Sequence, residues 1–342
     1  MSVLPSTVTG FRIAVEFHER KFKLMMNRRE LLKRTTIAAL ATGIPSLALA
    51  GVAAKTAGEK DAASKPNPLP VPPDGMIPAA FVLGKLAEVL DFAGPLEVFA
   101  GAGTKTGKPL FAPYMVAATK APVTVGGNMK VMPDYTFKTA PAPKVIVIPA
   151  MDFSGEPQEM FDWIRTASKN TDVTMSVCNG AFVLAKTGLL SGKPAVCHHG
   201  AFFRFSAIYP DVHLKRGARF VEVGNLASAG GISSGIDLAI RVVQRYLGTD
   251  AVIDLADGME YQGKGWENPD SNEAYAKLPN FTEEHPLCPV CLSEADRSIN
   301  TTYKGKTYYF CAKSEKEFFE KHTSVFDQML AEDAKQDAAK KQ

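Results

Sequence analysis

Residues 173–199, VTMSVCNGAFVLAKTGLLSGKPAVCHH, decide how this chain folds. Val173–Val177 is a short apolar, β-prone run, Cys178-Asn179-Gly180 is a tight joint, and helical apolar spacing resumes at once from Ala181. The pattern predicts a buried strand turning directly into a helix, with a thiol at the joint. A helix N-terminus offers unpaired N–H groups and the positive end of the macrodipole, so Cys178 is expected to ionise more readily than a free cysteine. The same amides can hold a developing oxyanion. A buried structural cysteine would fit the same spacing, so the joint alone leaves both readings open.

Working outward, apolar strands alternate with amphipathic helices from Met76 to Gly248. AAFVLG, YMVAAT and KVIVIPA read as strands, and EPQEMFDWIRTASK as a helix with Met160, Phe161 and Ile164 on one side. RFVEVGNLASAG reads as a hairpin turning at Gly224-Asn225, and GIDLAIRVVQRYLG as a helix ended by Gly248. Alternation of this kind predicts an α/β, doubly wound, mainly parallel sheet of the flavodoxin-like type, with ligands beyond the carboxyl ends of the strands. Cys178 falls there.

The segment SVCNGAFVLAKTGLLSGKPAVCHH, with VLDFAGPLEVF and ARFVEVGNLASAGGISSGIDLAIRVV, resembles the DJ-1/PfpI superfamily within the class I glutamine amidotransferase-like fold. The latter two segments are similar to the branch of isocyanide hydratases and the sensor halves of AraC-type regulators. The resemblance implies a nucleophile elbow at Cys178, Asp91 as general acid/base beside the thiol, and His198 as a further site residue. It implies an oxyanion pocket from the backbone amides of Asn179 and of Ala150 and Met151, with no cofactor in this domain. On the residues alone, Asp91 can equally cap the helix it opens, and His198 can be a satisfied core histidine. Two departures stand out: Ala150-Met151 replaces the usual glycine pair after the proline, and Asn179 replaces the hydratases' threonine. Cys197 adds a second thiol next to His198.

After a helix-like DAVIDLADGMEY and a polar linker (249–283), residues 284–328 carry a C-x-x-C, a hairpin at YKGKTYY and a third cysteine opening a helix. Cys288, Cys291 and Cys311 in this pattern read as ligands of one soft ion, copper or zinc. A Cys288–Cys291 disulfide is the alternative. The module resembles the YHS domain, in which a fourth cysteine often stands where this chain has Glu315; the site would be completed by Glu315, His285 or His322, or be left open. Forty residues bury little core, so the metal or docking on the larger domain should contribute stability. Residues 329–342 read as a fraying tail.

Residues 1–50 read as an N-terminal extension with a twin-arginine signal: Arg28-Arg29, a modest apolar stretch broken by Gly43 and Pro45, and an A-x-A site predicting cleavage after Ala50. That run is too weak for a stable membrane anchor, so the expected location is the periplasm. Residues 51–75, rich in Ala, Lys and Pro, read as a flexible linker. With 46% hydrophobic and 22% charged residues and a net charge of +3 over 342 residues, the composition is that of a globular protein without a nucleic-acid footprint. Two functions fit: an exported cysteine hydrolase or hydratase acting on a small electrophilic carbon, or a periplasmic ligand-, redox- or metal-sensing protein. The partners expected are a small-molecule substrate, a metal ion and a second copy in a homodimer.

Overall fold

The computed structural model describes residues 67–73, 75–103 and 107–340; the twin-arginine segment and its cleavage site lie outside the described residues. Seven strands form the main sheet: β1 (Ile77–Val82), β2 (Phe111–Ala117), β3 (Tyr135–Thr136), β4 (Val145–Ile148), β5 (Val173–Val177), β6 (Phe220–Val223) and β7 (Leu226–Ala229). Their order is β6-β7-β5-β4-β1-β2-β3. Every neighbouring pair is parallel except the β6–β7 hairpin. The chain winds from β1 to one edge, then returns to lay β4 on the other side of β1. That reversal is the switch point at which doubly wound sheets open a crevice.

Burial on both faces explains the continuous apolar strands. Along β1, Ala79 and Phe81 enter one core while Ala80 and Val82 enter the other. The first core is closed by helix α1 (Val89–Gly101) and, later in the chain, α5 (Ser234–Leu247). The second is closed by α2 (Gln158–Ala167), α3 (Gly180–Lys186) and α4 (Phe202–Ile208). As the sequence pattern required, Met160, Phe161 and Ile164 are the buried side of α2. Gly248, at φ 84°, ends α5 before α6 (Thr249–Gly258).

Beyond α6 the structure departs from the expected free linker. Trp266 is only 3% exposed and packs in the core under α5, and Phe281 is buried in the opposite core. The hairpin β8 (Asp296–Tyr303) and β9 (Lys306–Phe310) leads to α7 (Lys313–Lys321) and α8 (Thr323–Lys340). Phe203 of α4 meets Phe318, Phe319 and Phe326 edge-on, with ring centroids 5.6–5.9 Å apart. The C-terminal module therefore completes its apolar core on the larger domain, as its small size demands. Two boundaries are corrected as well. The expected fraying tail continues as helix to Lys340, with Met329 buried at its inner face. At the other end, the last part of the expected flexible linker is tied down, since Leu69 N–H donates to the Arg245 carbonyl and Arg245 Nε to the Asn67 carbonyl.

Candidate active site and cysteine cluster

Three strand-to-helix junctions converge beyond the carboxyl ends of β1, β4 and β5, carrying Asp91, Ala150 and Cys178. Cys178 has φ 57°, the left-handed region that costs a non-glycine residue about 1 kcal/mol or more. Two bonds hold it there: its N–H is shared between the carbonyls of Ala229 (3.1 Å) and Gly230 (2.9 Å). The next turn admits no side chain at position 180, because a Cβ on Gly180 would lie 2.1 Å from the Ile148 carbonyl oxygen. The elbow thus sits hard against the end of β4.

The backbone amides of Asn179 and Ile232 favour the ionised form of Cys178. The expected lowering of the thiol pKa is nevertheless overturned. Cys178 is 5% exposed, and burial, followed by the negative charge of Asp91, pushes its pKa up to about 12. The amides and helix end are real, but desolvation outweighs them. At neutral pH the sulfur is a thiol, and its chemistry needs a base.

Asp91 supplies one. Fully buried in the first turn of α1, it does not cap that helix; its Oδ2 accepts the Ala150 N–H at 2.9 Å, while Oδ1 is buried without a partner. Burial raises its pKa to about 7, opposed by the Ala150 hydrogen bond and reinforced by Glu88. The Ala150 carbonyl in turn accepts the Glu88 N–H at 2.8 Å, so the two loops lock together. This corrects the pocket expected from the sequence: the Ala150 amide serves Asp91 rather than an oxyanion. Met151 lies over Gly84, where a Cβ would come within 2.4 Å of its sulfur. Asn179 favours the ionised sulfur through its backbone amide, and its side-chain Oδ1 is a second buried acceptor without a partner.

His198 is placed differently. Its Nδ1 accepts the Gly200 N–H at 3.0 Å, which assigns the proton to Nε2. Burial, then His199, lowers its pKa, so the ring is neutral at pH 7. The ring backs onto Gly231, where a Cβ would lie 3.0 Å from its Cδ2. It shapes the turn that carries Ile232. Cys197 is buried, with its pKa raised by burial and by Cys178. Sequence reasoning missed the Ile232 amide and Glu88. Ile232 lies fifty-four residues from Cys178 in the chain, and Glu88 reads as an ordinary glutamate at a helix start.

In the C-terminal module the sulfurs of Cys288, Cys291 and Cys311 all lie within 4.8 Å of one another. The Cys291 and Cys311 sulfurs are 3.5 Å apart. The Leu292 N–H to Cys288 carbonyl and Cys288 N–H to Ser293 carbonyl bonds, both 2.8 Å, close the C-x-x-C knuckle. Three thiolates about 2.3 Å from one ion would sit roughly this far apart, so the donor set fits a soft cation. All five cysteines are free thiols. No fourth His, Cys, Asp or Glu joins the cluster among the described residues. Glu315 pairs with Arg204, His322 stacks on Phe318 and bonds its carbonyl through Nδ1 at 2.8 Å, and His285 is exposed, with its backbone N–H directed at Thr282.

A model of the DJ-1/PfpI family matches residues 78–245. The chain is 31% identical over 189 residues to an isonitrile hydratase of Pseudomonas putida, covering 53% of this chain and 77% of the relative. It is 24% identical over 229 residues to the HTH-type transcriptional regulator GlxA of Rhizobium meliloti, covering 64% and 68%. Similar solved structures include a ThiJ/PfpI family protein from Pseudomonas syringae, with 20% identity, TM-score 0.49, and coverage of 60% of this chain and 92% of that one. Drosophila melanogaster DJ-1beta is similar at 19% identity and TM-score 0.48, over 55% and 100%. No helix among the described residues is long and apolar enough to cross a membrane.

Proposed function

This chain belongs to the DJ-1/PfpI family, and from that membership and its site we propose that it is a cysteine-dependent hydratase acting on a small electrophilic carbon, an isonitrile foremost. The observation that carries the reading is the buried Asp91 carboxyl, with one oxygen held by Ala150 and the other free, whose charge acts directly on Cys178. With a pKa about 7, Asp91 can both take and give a proton at neutral pH. As Sγ attacks the terminal carbon, the thiol proton passes to Asp91 Oδ1 and on to that carbon, giving a thioimidate. The Asn179 and Ile232 amides stabilise charge on the sulfur while it forms and leaves. Water adds to the same carbon, and collapse of the adduct expels Cys178 as the thiol and leaves an N-substituted formamide.

The test is formamide formation from an alkyl isonitrile by the full chain, followed by mass spectrometry. Turnover lost in Cys178→Ala and reduced at least a hundred-fold in Asp91→Asn supports the reading. Failure across isonitriles, glyoxals and small amides would overturn it in favour of a second reading, a ligand- or redox-sensing protein. That alternative draws on the raised thiol pKa and on the regulator named among the relatives.

For residues 284–328 we read a YHS-like module in which Cys288, Cys291 and Cys311 capture copper or zinc, supported by the convergence of their sulfurs. A bound ion would staple the knuckle to the start of α7. Export through the twin-arginine route to the periplasm completes the proposal. Cell fractionation with an Arg28→Lys/Arg29→Lys variant tests it, because export unaffected by that change would exclude the route.

A further inference from the structure

The family match ends at residue 245, yet the chain beyond it does not leave the site. Residues 265–276 run over the turn Gly230–Ser234, and Arg219 is the hub that joins them. Its Nε donates to Asp237 Oδ2 at 2.7 Å, its Nη1 to Asn272 Oδ1 at 3.2 Å and its Nη2 to Ser233 Oγ at 3.1 Å. Its backbone works in both directions as well, donating its N–H to the Pro269 carbonyl and accepting the Gly230 N–H at 2.9 Å. Asn272 Nδ2 then donates to Ser234 Oγ at 3.3 Å, and the Trp266 N–H to Asp237 Oδ1 at 3.1 Å. The layers are close enough that a Cβ on Gly230 would lie 2.9 Å from Asn272 Nδ2, and one on Gly265 would lie 2.6 Å from Asp237 Oδ2. Asp237 is almost fully buried and Arg219 largely so, which makes the pairing costly to break.

The clamped turn is the one that touches the cysteine. Cys178 N–H bonds Gly230 O, and the Ile232 amide two residues on favours the ionised Cys178 sulfur. On the far side, the Tyr275 ring packs at a tilt against His199 with centroids 4.7 Å apart, and His199 likewise against His198, whose ring backs Gly231. We propose that the 265–276 segment is part of the Cys178 site, with Arg219 and Asn272 as positioning residues that hold the Gly230–Ser234 turn, and so the Ile232 amide, against the sulfur. The inference rests on Cys178 being the reactive group of the proposed function, but not on which substrate it attacks.

Because it concerns the sulfur alone, it is tested without substrate. The second-order rate of Cys178 alkylation by iodoacetamide is measured from pH 7 to 10 on the full chain, with the labelled peptide resolved by mass spectrometry and Tm recorded in parallel. A misaimed amide costs the thiolate one charge-assisted hydrogen bond, so Asn272→Ala should slow alkylation about ten-fold or more across the range and move the profile to higher pH. Asn272→Asp, which still accepts from Arg219 and from the Ser234 hydroxyl, should stay within about two-fold of the unaltered protein. Should Asn272→Ala not fold, Arg219→Lys gives the same reading, since lysine keeps the charge opposite Asp237 but cannot fork to Asn272 and Ser233. An unchanged rate in Asn272→Ala, an equal loss in Asn272→Asp, or a fall in Tm alone would overturn the inference. A normal clamp effect with no isonitrile turnover would overturn only the substrate reading.

Discussion

Replacing Asp91 by Asn should make this protein more stable in alkaline solution while impairing its chemistry. Burial lifts the Asp91 pKa from 3.8 to about 7. Between those values the native state keeps a proton that the unfolded chain has released, so stability falls as pH rises through the window and is flat above it. A rise of that size corresponds to roughly 4 kcal/mol withheld from the folded state above pH 7. The introduced asparagine would still accept the Ala150 N–H through its carbonyl oxygen, but would place an NH2 where Oδ1 has no partner. Leaving that donor unsatisfied costs about 1–3 kcal/mol. The net gain above pH 7 is then about 1–3 kcal/mol, or about 1–4 °C in Tm for a chain of this size. Differential scanning calorimetry of both proteins at pH 5 and pH 8.5 checks it. At pH 5 Asp91 is already protonated, so the advantage of Asn should shrink or reverse. A Tm difference that is the same at both pH values would refute the electrostatic account of the site. So would Asp91→Asn melting below the unaltered protein at pH 8.5.

Gly180→Ala should destabilise the chain by about 3 kcal/mol, because its Cβ meets backbone rather than a movable side chain; a urea midpoint unchanged from the parent would contradict this. Phe203→Ala should cost about 3–5 kcal/mol and open the seam between α4 and the C-terminal module. Limited proteolysis would then cut within 259–283, and an unaltered digestion pattern would count against the shared core. Reduced full chain should bind one equivalent of copper(I) or zinc with proton release, and Cys291→Ser should abolish stoichiometric binding in elemental analysis. Full retention of metal by that variant would remove the cluster from consideration.

Strand–helix alternation, the hairpin at Gly224-Asn225 and the cysteine joint were all legible in the chain, because each follows from local periodicity and turn chemistry over a dozen residues. Cys178 was legible as a candidate for the same reason, since it sits where a strand gives way to a helix, whereas Asp91 was implied only by the family resemblance. The C-x-x-C and its third cysteine were equally local. Whether a fourth group joins them was not, because Glu315's pairing with Arg204 depends on what α4 presents across the seam.

What the tertiary structure alone decided was the energetics of the sulfur. A helix N-terminus argues for a thiolate, but the depth of Cys178 and the distance to Asp91 depend on how β1, β4 and β5 stack, and desolvation grows with that depth. Likewise nothing along the chain says that Ala150 will spend its N–H on Asp91, or that Arg219 will join Asn272 to the turn beside the cysteine. Periodicity is a property of neighbours in sequence. The charge state of a buried group is a property of neighbours in space, and these come from segments the chain keeps tens of residues apart.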